Sequence, residues 1–291
     1  MTFDDFSQSG GWKGLLHFVI HMVALIFIGL LVGFIGGLLG VGGGFILVPL
    51  LTSLLRFDAH QAIGTSLAAG IFTGFFSAFS YFKQKRLDWK LGLLIEVSTV
   101  PGALIGSYST IFFSSKELKI LLSVLLTGLS ISMLSEGKLT GIKAIFKNLH
   151  LGTRIKIQLW ERKIRDSKGM LFEYKVNVLK LLLAVFPAGL ASGFFGIGGG
   201  VMVVPVLCFL GIPVHIAVAT STLIVTLTAL SGTICHMTFG HVLWTELVYI
   251  IFGIFLGTQM GTSTAWRTRS KTLKKVFATV LMAMAVLLLM R

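Results

Sequence analysis

Long apolar segments alternate with short polar ones along almost the whole chain. Segments of about twenty residues, long enough to cross a lipid bilayer as helices, lie near 17–39, 60–82, 89–113 and 117–135, and again near 177–195, 215–239, 243–265 and 272–290. A shorter apolar segment follows the first span of each set, at 44–55 and at 200–210. The pattern predicts an all-α integral membrane protein with four long helices and one short or discontinuous helix in each half.

The second half repeats the first residue by residue. Gly40-Val-Gly-Gly-Gly44 with Pro49 returns 156 residues later as Gly196-Ile-Gly-Gly-Gly200 with Pro205. After a one-residue gap the matches continue at a separation of 155 residues: His60 with His215, Thr65 with Thr220, Ser66 with Ser221, and Trp89 with Trp244. We infer an internal duplication. It divides the chain into an N-terminal tail (1–16), a first transmembrane repeat (17–135), a connecting loop (136–176) and a second repeat (177–291).

Positive charge indicates how the two repeats are oriented. The stretches 83–90, 136–177 and 266–275 contain 19 of the 25 Lys and Arg residues. With five crossings per half, an odd number, the second repeat is inverted and all three stretches fall on one side of the membrane. With four crossings, the third stretch would face outside, against the positive-inside rule. We therefore expect inverted repeats in the cell inner (plasma) membrane, with the basic loop 136–176 cytoplasmic and lying partly along the anionic lipid surface.

The composition excludes several classes of protein. With 55% hydrophobic and 12% charged residues, the chain is too apolar for a soluble enzyme, and it has no recognisable catalytic set. The net charge of +14 does not indicate nucleic-acid binding, because no soluble domain remains to present it. Cys208 and Cys235 lie in apolar segments and are expected to be small apolar fillers. His17 and His21 share a helix face without a third ligand, so no metal site is expected.

The two short segments are the strongest pointer to a transport site. A helix of twelve residues rises only about 18 Å, against a hydrocarbon core of about 30 Å, so one end of each segment must lie inside the membrane. The adjoining runs Gly42, Gly43, Gly44 and Gly198, Gly199, Gly200 could offer bare backbone N–H groups, with the N-terminal charge of a following helix, to an anion. Pro49 and Pro205 would interrupt and bend the short helices. The alternative is that the glycines serve close helix packing.

Several polar side chains could complete such a site. Thr65, Ser66, Thr220 and Ser221 follow the short segments; their hydroxyls could donate to an oxyanion or could bond their own helix carbonyls. His60 and His215 could titrate or could lie at the interface. Glu96 lies well inside a long span, so it is a candidate proton relay, unless it is paired structurally or reaches water.

The paired glycine elements are also familiar as a family signature. The run Gly33-Phe-Ile-Gly-Gly-Leu-Leu-Gly-Val-Gly-Gly-Gly-Phe-Ile-Leu-Val-Pro49 and its echo from Gly189 to Pro205, with the Thr-Ser pairs that follow, resemble the duplicated signature of the sulfite exporter TauE/SafE family. The resemblance covers both repeats. It implies a membrane permease that moves sulfite or small organosulfur anions such as sulfonates.

The resulting expectation is alternating access at a midplane anion site between the repeats, with no cofactor. An inside-negative potential favours anion export by about 2.3 kcal/mol per charge per 100 mV, whereas uptake would need a coupling ion such as the proton. The alternatives are an anion channel and a non-transporting membrane scaffold. The expected partners are the small anion and the lipid bilayer; the substrate, the direction of transport and the oligomeric state stay open.

Overall fold

The computed structural model describes residues 12–134 and 159–290, and the described part is almost entirely helical. The helices of the first half are α1 (Trp12–Leu39), α2 (Gly44–Ser53), α3 (Ala59–Lys83), α4 (Trp89–Ser109), extended by a 3₁₀ turn (Thr110–Phe112), and α5 (Ser115–Leu134). A hairpin of β1 (Leu159–Arg165) and β2 (Leu171–Asn177) follows. The helices of the second half are α6 (Val178–Phe195), α7 (Gly200–Phe209), α8 (Val214–Thr238), α9 (Trp244–Arg267) and α10 (Ser270–Leu289).

This order confirms four long helices and one short helix in each half. Seven helices of the described residues are long and apolar enough to cross a membrane: α1, α3, α4, α6, α8, α9 and α10. α5 spans 20 residues but lies outside this set. Large apolar side chains such as Phe27, Phe79, Val97 and Phe252 are exposed on the outside of the bundle. An apolar exterior of this kind is suited to lipid rather than to water.

The two halves interlock through reciprocal helix pairs. α1 lies along α9, where Gly29 and Gly33 face the backbone of Ile250 and Ile254. α4 lies along α6, where Gly102 faces the backbone of Phe186 and Leu190. A Cβ added to Gly102 would lie only 2.9 Å from the Phe186 carbonyl oxygen and from the Leu190 nitrogen. Small residues let helix backbones approach closely in a membrane, where lipid removes the hydrophobic drive between helices. The first helix of each half therefore packs along the fourth helix of the other half.

One end of the bundle, which we call the hairpin face, carries the hairpin and the three basic stretches as far as they are described. Arg86, in the loop from α3 to α4, pairs with Asp166 of the hairpin at 3.0 Å. Lys168 of the hairpin lies over the ring of Trp266, at the end of α9, at 5.0 Å. The described parts of the three stretches thus meet on one face; the inversion of the repeats stays a prediction.

The other end, which we call the histidine face, carries the loops 54–58, 110–114 and 239–243. His60, next to the first loop, makes hydrogen bonds to the carbonyls of Thr110 at 3.3 Å and Phe113 at 3.1 Å in the second. Its ring lies 5.3 Å from that of His241 in the third. α2 ends at this face, whereas α7 ends at the hairpin face, where Ile212 packs in one cluster with Phe172 and Tyr174.

The hairpin was not anticipated from the sequence, which predicted only a basic loop along the lipid surface. Phe172, Tyr174 and Val176 alternate with exposed residues along β2 and are buried against the helices. Such alternation is typical of a half-buried strand. The first part of the predicted loop, at 135–158, and most of the N-terminal tail, at 1–11, lie outside the described residues.

Candidate functional site

The two glycine loops meet each other at the centre of the bundle. Gly44 faces the carbonyl of Gly196, and a Cβ added to Gly200 would lie 2.6 Å from Cα of Val41. Val225, close to the middle of the membrane-spanning helix α8, packs against both loops. All ten loop residues, 40–44 and 196–200, are buried. The loops predicted from sequence therefore do face each other at mid-depth, in close backbone contact.

Each loop ends at the N-terminus of a short helix. Gly42 and Gly43 have φ of 75° and 74°, and Gly198 and Gly199 have 70° and 75°, in the left-handed region that glycine tolerates without strain. α2 runs from the centre to the histidine face and α7 from the centre to the hairpin face, each with its proline inside the helix. Two helix N-termini, each with partial positive charge, thus converge at the centre of the bundle.

Two serines bind the loops across the boundary between the halves. Ser66 donates a hydrogen bond of 2.5 Å to the carbonyl of Gly196, and Ser221 donates one of 2.5 Å to the carbonyl of Gly40. Both hydroxyls also approach carbonyls of their own helices, at 3.2 Å and 2.8 Å. The structure therefore uses these hydroxyls to hold the loops. Their predicted contact with substrate stays a prediction.

The neighbouring threonines also bond across the boundary. Thr65 Oγ1 accepts the backbone N–H of Leu243 at 2.9 Å, and Thr220 Oγ1 accepts that of Asp88 at 3.1 Å. Each threonine thereby fixes the start of the fourth helix of the opposite repeat. Thr65 lies on the side of the histidine face and Thr220 on the side of the hairpin face, and their predicted contact with substrate stays a prediction.

A polar cluster lies beside the second loop. Glu96 is only 7% exposed, and its carboxylate accepts hydrogen bonds from Thr228 at 3.1 Å and from Thr99 at 3.2 Å. A Cβ added to Gly199 would lie 3.5 Å from Ser192 Oγ and 3.8 Å from Cγ2 of the same Thr228. Thr228 thus bridges the carboxyl group and the loop. Ser192 Oγ is buried and has no hydrogen-bond partner among the described residues.

The equivalent positions around the first loop are mostly apolar. By the repeat register, Ile251 and Ile254 correspond to Glu96 and Thr99, and Gly36 corresponds to Ser192. Only the hydroxyl of Thr228 has a counterpart, Thr73, and that one bonds the carbonyl of Ala69 at 3.0 Å. The polar cluster thus breaks the symmetry of the two loops and marks the second loop as chemically distinct.

The two candidate histidines lie at opposite ends of the bundle, away from Glu96. His60 lies at the histidine face beside Asp58, at 3.1 Å, and His215 makes a contact of 3.3 Å with Ser270 at the hairpin face. Sequence reasoning missed Thr99, Ser192 and Thr228, which are brought together only by the tertiary fold.

The family relationship follows from comparison with known proteins. A family model described as Sulfite exporter TauE/SafE matches residues 25–288. The chain belongs to the TauE/SafE family. Both glycine loops and the polar cluster lie inside the region that matches TauE/SafE, so the resemblance seen in the sequence is confirmed.

Individual relatives match nearly the whole chain. The probable membrane transporter protein YunE of Bacillus subtilis is 32% identical over 270 residues, which are 90% of this chain and 95% of YunE. The probable membrane transporter protein MJ0441 of Methanocaldococcus jannaschii is 26% identical over 288 residues, 94% of this chain and 97% of its own length. No solved structure matches the chain. The protein is thus a multi-pass member of a membrane transporter family.

Proposed function

We propose that this protein is an inner-membrane permease for sulfite or a small organosulfonate, with its substrate site at the junction of the two glycine loops. The observation that carries the proposal is the meeting of two helix N-termini, from α2 and α7, at mid-depth between the halves. Exposed N–H groups and partial positive charge at such termini bind oxyanions. The substrate class follows the name of the family, sulfite exporter.

The arrangement of the helices supports alternating access between inverted repeats. The short helices run to opposite faces, and the two closely packed pairs, α1 with α9 and α4 with α6, would each move as a unit on either side of the loops. In the present conformation the loops are closed on each other. Binding would require the bonds from Ser66 and Ser221 to loosen, which frees loop amides and hydroxyls for the anion.

Glu96 supports coupling of the anion to a proton. Its carboxyl group is one side chain away from Gly199, through Thr228. Two negative charges in a buried site repel strongly, whereas a protonated carboxyl group can donate a hydrogen bond to the anion. We therefore assign the proton-binding site of uptake to Glu96. The hairpin face, which carries the clustered positive charge, is the cytoplasmic face in this proposal.

Counterflow in proteoliposomes tests the proposal. Vesicles loaded with unlabelled sulfite should accumulate labelled sulfite transiently from outside, and the rate should saturate with concentration. Taurine and ethanesulfonate, tested in parallel, decide between sulfite and sulfonates, and acetate serves as the carboxylate comparison. An open anion channel would give flux without saturation or counterflow.

Variants at the loop separate transport from folding. Gly199→Ala adds a methyl group beside Ser192 and Thr228, and we expect it to abolish counterflow while the protein still purifies as a monodisperse species. Gly128→Ala, at a helical position with open space around it, is the control. Full counterflow in the Gly199 variant would contradict the site, and absence of flux with every anion in the wild type would favour the scaffold alternative.

A further inference from the structure

We propose that a proton path leads from the histidine face to Glu96 through His60, His241, His236, Ser107 and Ser192. The path deepens the proposed function, on which its physiological role rests, because it names the face from which the coupling proton enters. It consists of groups that can accept and release a proton, bridged by water at the buried hydroxyls.

The outer part of the path is open to solvent. Asp58, whose side chain is 50% exposed, lies 3.1 Å from Nδ1 of His60. Ser115 also contacts both side chains. The ring of His60 lies 5.3 Å from that of His241, centroid to centroid. His60 thus stands next to a carboxylate that can collect protons from water. Because Nε2 of His60 is bonded to the carbonyls of Thr110 and Phe113, the step to His241 goes through water rather than through a direct hydrogen bond.

The path then turns into the membrane at His236. Nδ1 of His241 lies 3.1 Å from Nδ1 of His236, a hydrogen bond that one ring donates and the other accepts. His236 belongs to α8 and is fully buried. Its other ring nitrogen, Nε2, is buried without a hydrogen-bond partner among the described residues. A proton received at Nδ1 can therefore leave from Nε2 on the inner side.

Two buried hydroxyls continue the path between α4, α6 and α8. Ser107 of α4 lies against a glycine of each neighbouring helix. A Cβ added to Gly193 of α6 would lie 2.7 Å from Ser107 Oγ, and one added to Gly232 of α8 would lie 3.0 Å from it. Gly232 is one helical turn before His236. Neither Ser107 Oγ nor Ser192 Oγ has a hydrogen-bond partner among the described residues. Buried polar atoms rarely stay unpaired, and ordered water is their usual partner.

The inner end of the path is the polar cluster. Along α4, Glu96, Thr99, Ala103 and Ser107 follow at spacings of three and four residues and so share one face. Along α8, Thr228, Gly232 and His236 do the same. Along these two faces the residues between His236 and Glu96 are small or carry hydroxyl groups, and the side chain of Leu67 packs beside them, 3.1 Å from the position of a Cβ added to Gly232.

Few other ionisable groups act on this path. The titratable groups that act on His236 are His241 and His60, and those that act on His241 are His60 and Asp58. The groups that act on Glu96 are the hydroxyls of Thr99 and Thr228. Within the described residues, a proton that enters at the histidine face therefore meets one carboxyl group at the end of the path.

The pseudo-symmetric position on the opposite side is different. Tyr81 corresponds to His236, and its hydroxyl donates to the carbonyl of Gly37 at 2.7 Å. Ile251 stands where Glu96 would be. The proton of the Tyr81 hydroxyl is already donated to a backbone carbonyl, and the alkyl group of Ile251 has no atom that can bind a proton. The path therefore leads to the histidine face alone, and a proton from that face accompanies the anion toward the hairpin face.

Water access along the path can be measured without any substrate. In a Cys208→Ala, Cys235→Ala background, Ser107→Cys and Ser192→Cys are treated with the small water-soluble thiol reagent MTSEA (methanethiosulfonate ethylammonium), added at the histidine face of oriented vesicles. Thiolates form and react only where water reaches them. We expect both cysteines to be modified faster than Ala278→Cys, a fully buried position in the contact between α5 and α10, where Ser130 already donates a hydrogen bond to the Ala278 carbonyl. Equal rates at all three positions would overturn the path.

Proton movement is measured separately. Ethanesulfonate, the anion of a strong acid, carries no proton of its own, so acidification of the vesicle lumen on its addition reports coupled proton entry. We expect His236→Gln to lose this acidification but to keep ethanesulfonate counterflow, and Thr264→Ala, which removes an exposed bond within α9 near the hairpin face, to keep both. Acidification that persists in the His236 variant would overturn the path.

The two proposals fail in different ways. Cysteines that react at Ser107 and Ser192 in a protein without sulfite or sulfonate counterflow would leave the water path standing and reject the substrate class. Counterflow together with unreactive cysteines and unchanged acidification in the His236 variant would support the permease and reject the path.

Discussion

Ser66 of the first repeat donates a hydrogen bond to the Gly196 carbonyl of the second, and Ser221 returns the equivalent bond to Gly40, both at 2.5 Å. Each repeat therefore fastens the glycine loop of the other. Because the two loops also touch, the four residues form one interlocked unit at mid-depth. A movement that separates the halves must break these bonds.

Removal of either serine hydroxyl should weaken this unit. Ser66→Ala and Ser221→Ala each leave a buried carbonyl without that donor, which we expect to cost about 1–3 kcal/mol. The melting temperature in detergent should fall in both variants, and counterflow should change with it. Thr264→Ala, which removes an exposed bond within α9, is the control. Unchanged melting in both serine variants would show that the bonds contribute nothing.

The glycine loops should differ in their tolerance of a methyl group. Gly43→Ala combines positive φ with a contact of 2.5 Å to Val32 Cγ1, whereas Gly199→Ala meets nothing closer than 3.5 Å. Positive φ alone costs roughly 1–2 kcal/mol for a residue with a Cβ. We expect Gly43→Ala to lower the melting temperature more than Gly199→Ala does. The reverse order would contradict the packing described for the loops.

Neutralising Glu96 should uncouple uptake from pH. Glu96→Gln keeps the shape of the side chain but cannot bind and release a proton. Uptake into vesicles that depends on an imposed pH gradient should be abolished, while counterflow without a gradient should persist. Glu246→Gln, at the start of α9, is the matched control. Unchanged pH dependence in Glu96→Gln would remove this residue from the mechanism.

The hairpin should be held by Asp88 of the loop before α4. Burial alone would raise the pKa of Asp88, but hydrogen bonds from Arg162, Tyr174 and the N–H of Leu91 outweigh it and hold the pKa below its ordinary value. Because the folded-state pKa is lowered, this stabilisation is present above roughly pH 4 and is lost as the pH falls through the lowered value. Melting measured against pH should show this loss in the wild type.

Arg162→Gln tests the same contact at neutral pH. Asp88 is fully buried and Arg162 is 19% exposed, so we expect a cost toward the lower end of the roughly 3–5 kcal/mol seen when a buried pair loses one partner. Lys163→Gln breaks an exposed pair with Glu173 on the same hairpin and should cost about 0–1 kcal/mol. Equal effects of the two variants would show that the Asp88 contact is not a buried pair in solution.

The sequence predicts the helices well and the site only in part. The length of the apolar segments and the repeat of the glycine motif can both be read from the sequence alone, so the spans and the facing glycine loops can be predicted from them. Ser192, Thr228 and His236 carry no such signal, because a single serine, threonine or histidine in an apolar helix acquires its role only from side chains on other helices. Glu96 could be singled out because a carboxyl group inside a span is costly.

The hairpin shows a different limit. Basic residues dominate the segment before α6 and suggested a loop along the anionic lipid surface, although Phe172, Tyr174 and Val176 alternate with period two. Charged residues on one side of a strand masked the apolar side. The strand could have been recognised had the alternation been weighed above the net charge.

The hairpin also makes the two ends of the molecule unequal. Desolvated ion pairs from Arg86 and Arg162 tie it to the loops at its own end, whereas the histidine face has the half-exposed pair of Asp58 and His60. If inward release requires the tied end to spread, an unloaded carrier would spend most of its time facing outward. In the proposed uptake cycle, such a bias favours capture of anions from outside the cell and slows the return of anions from inside.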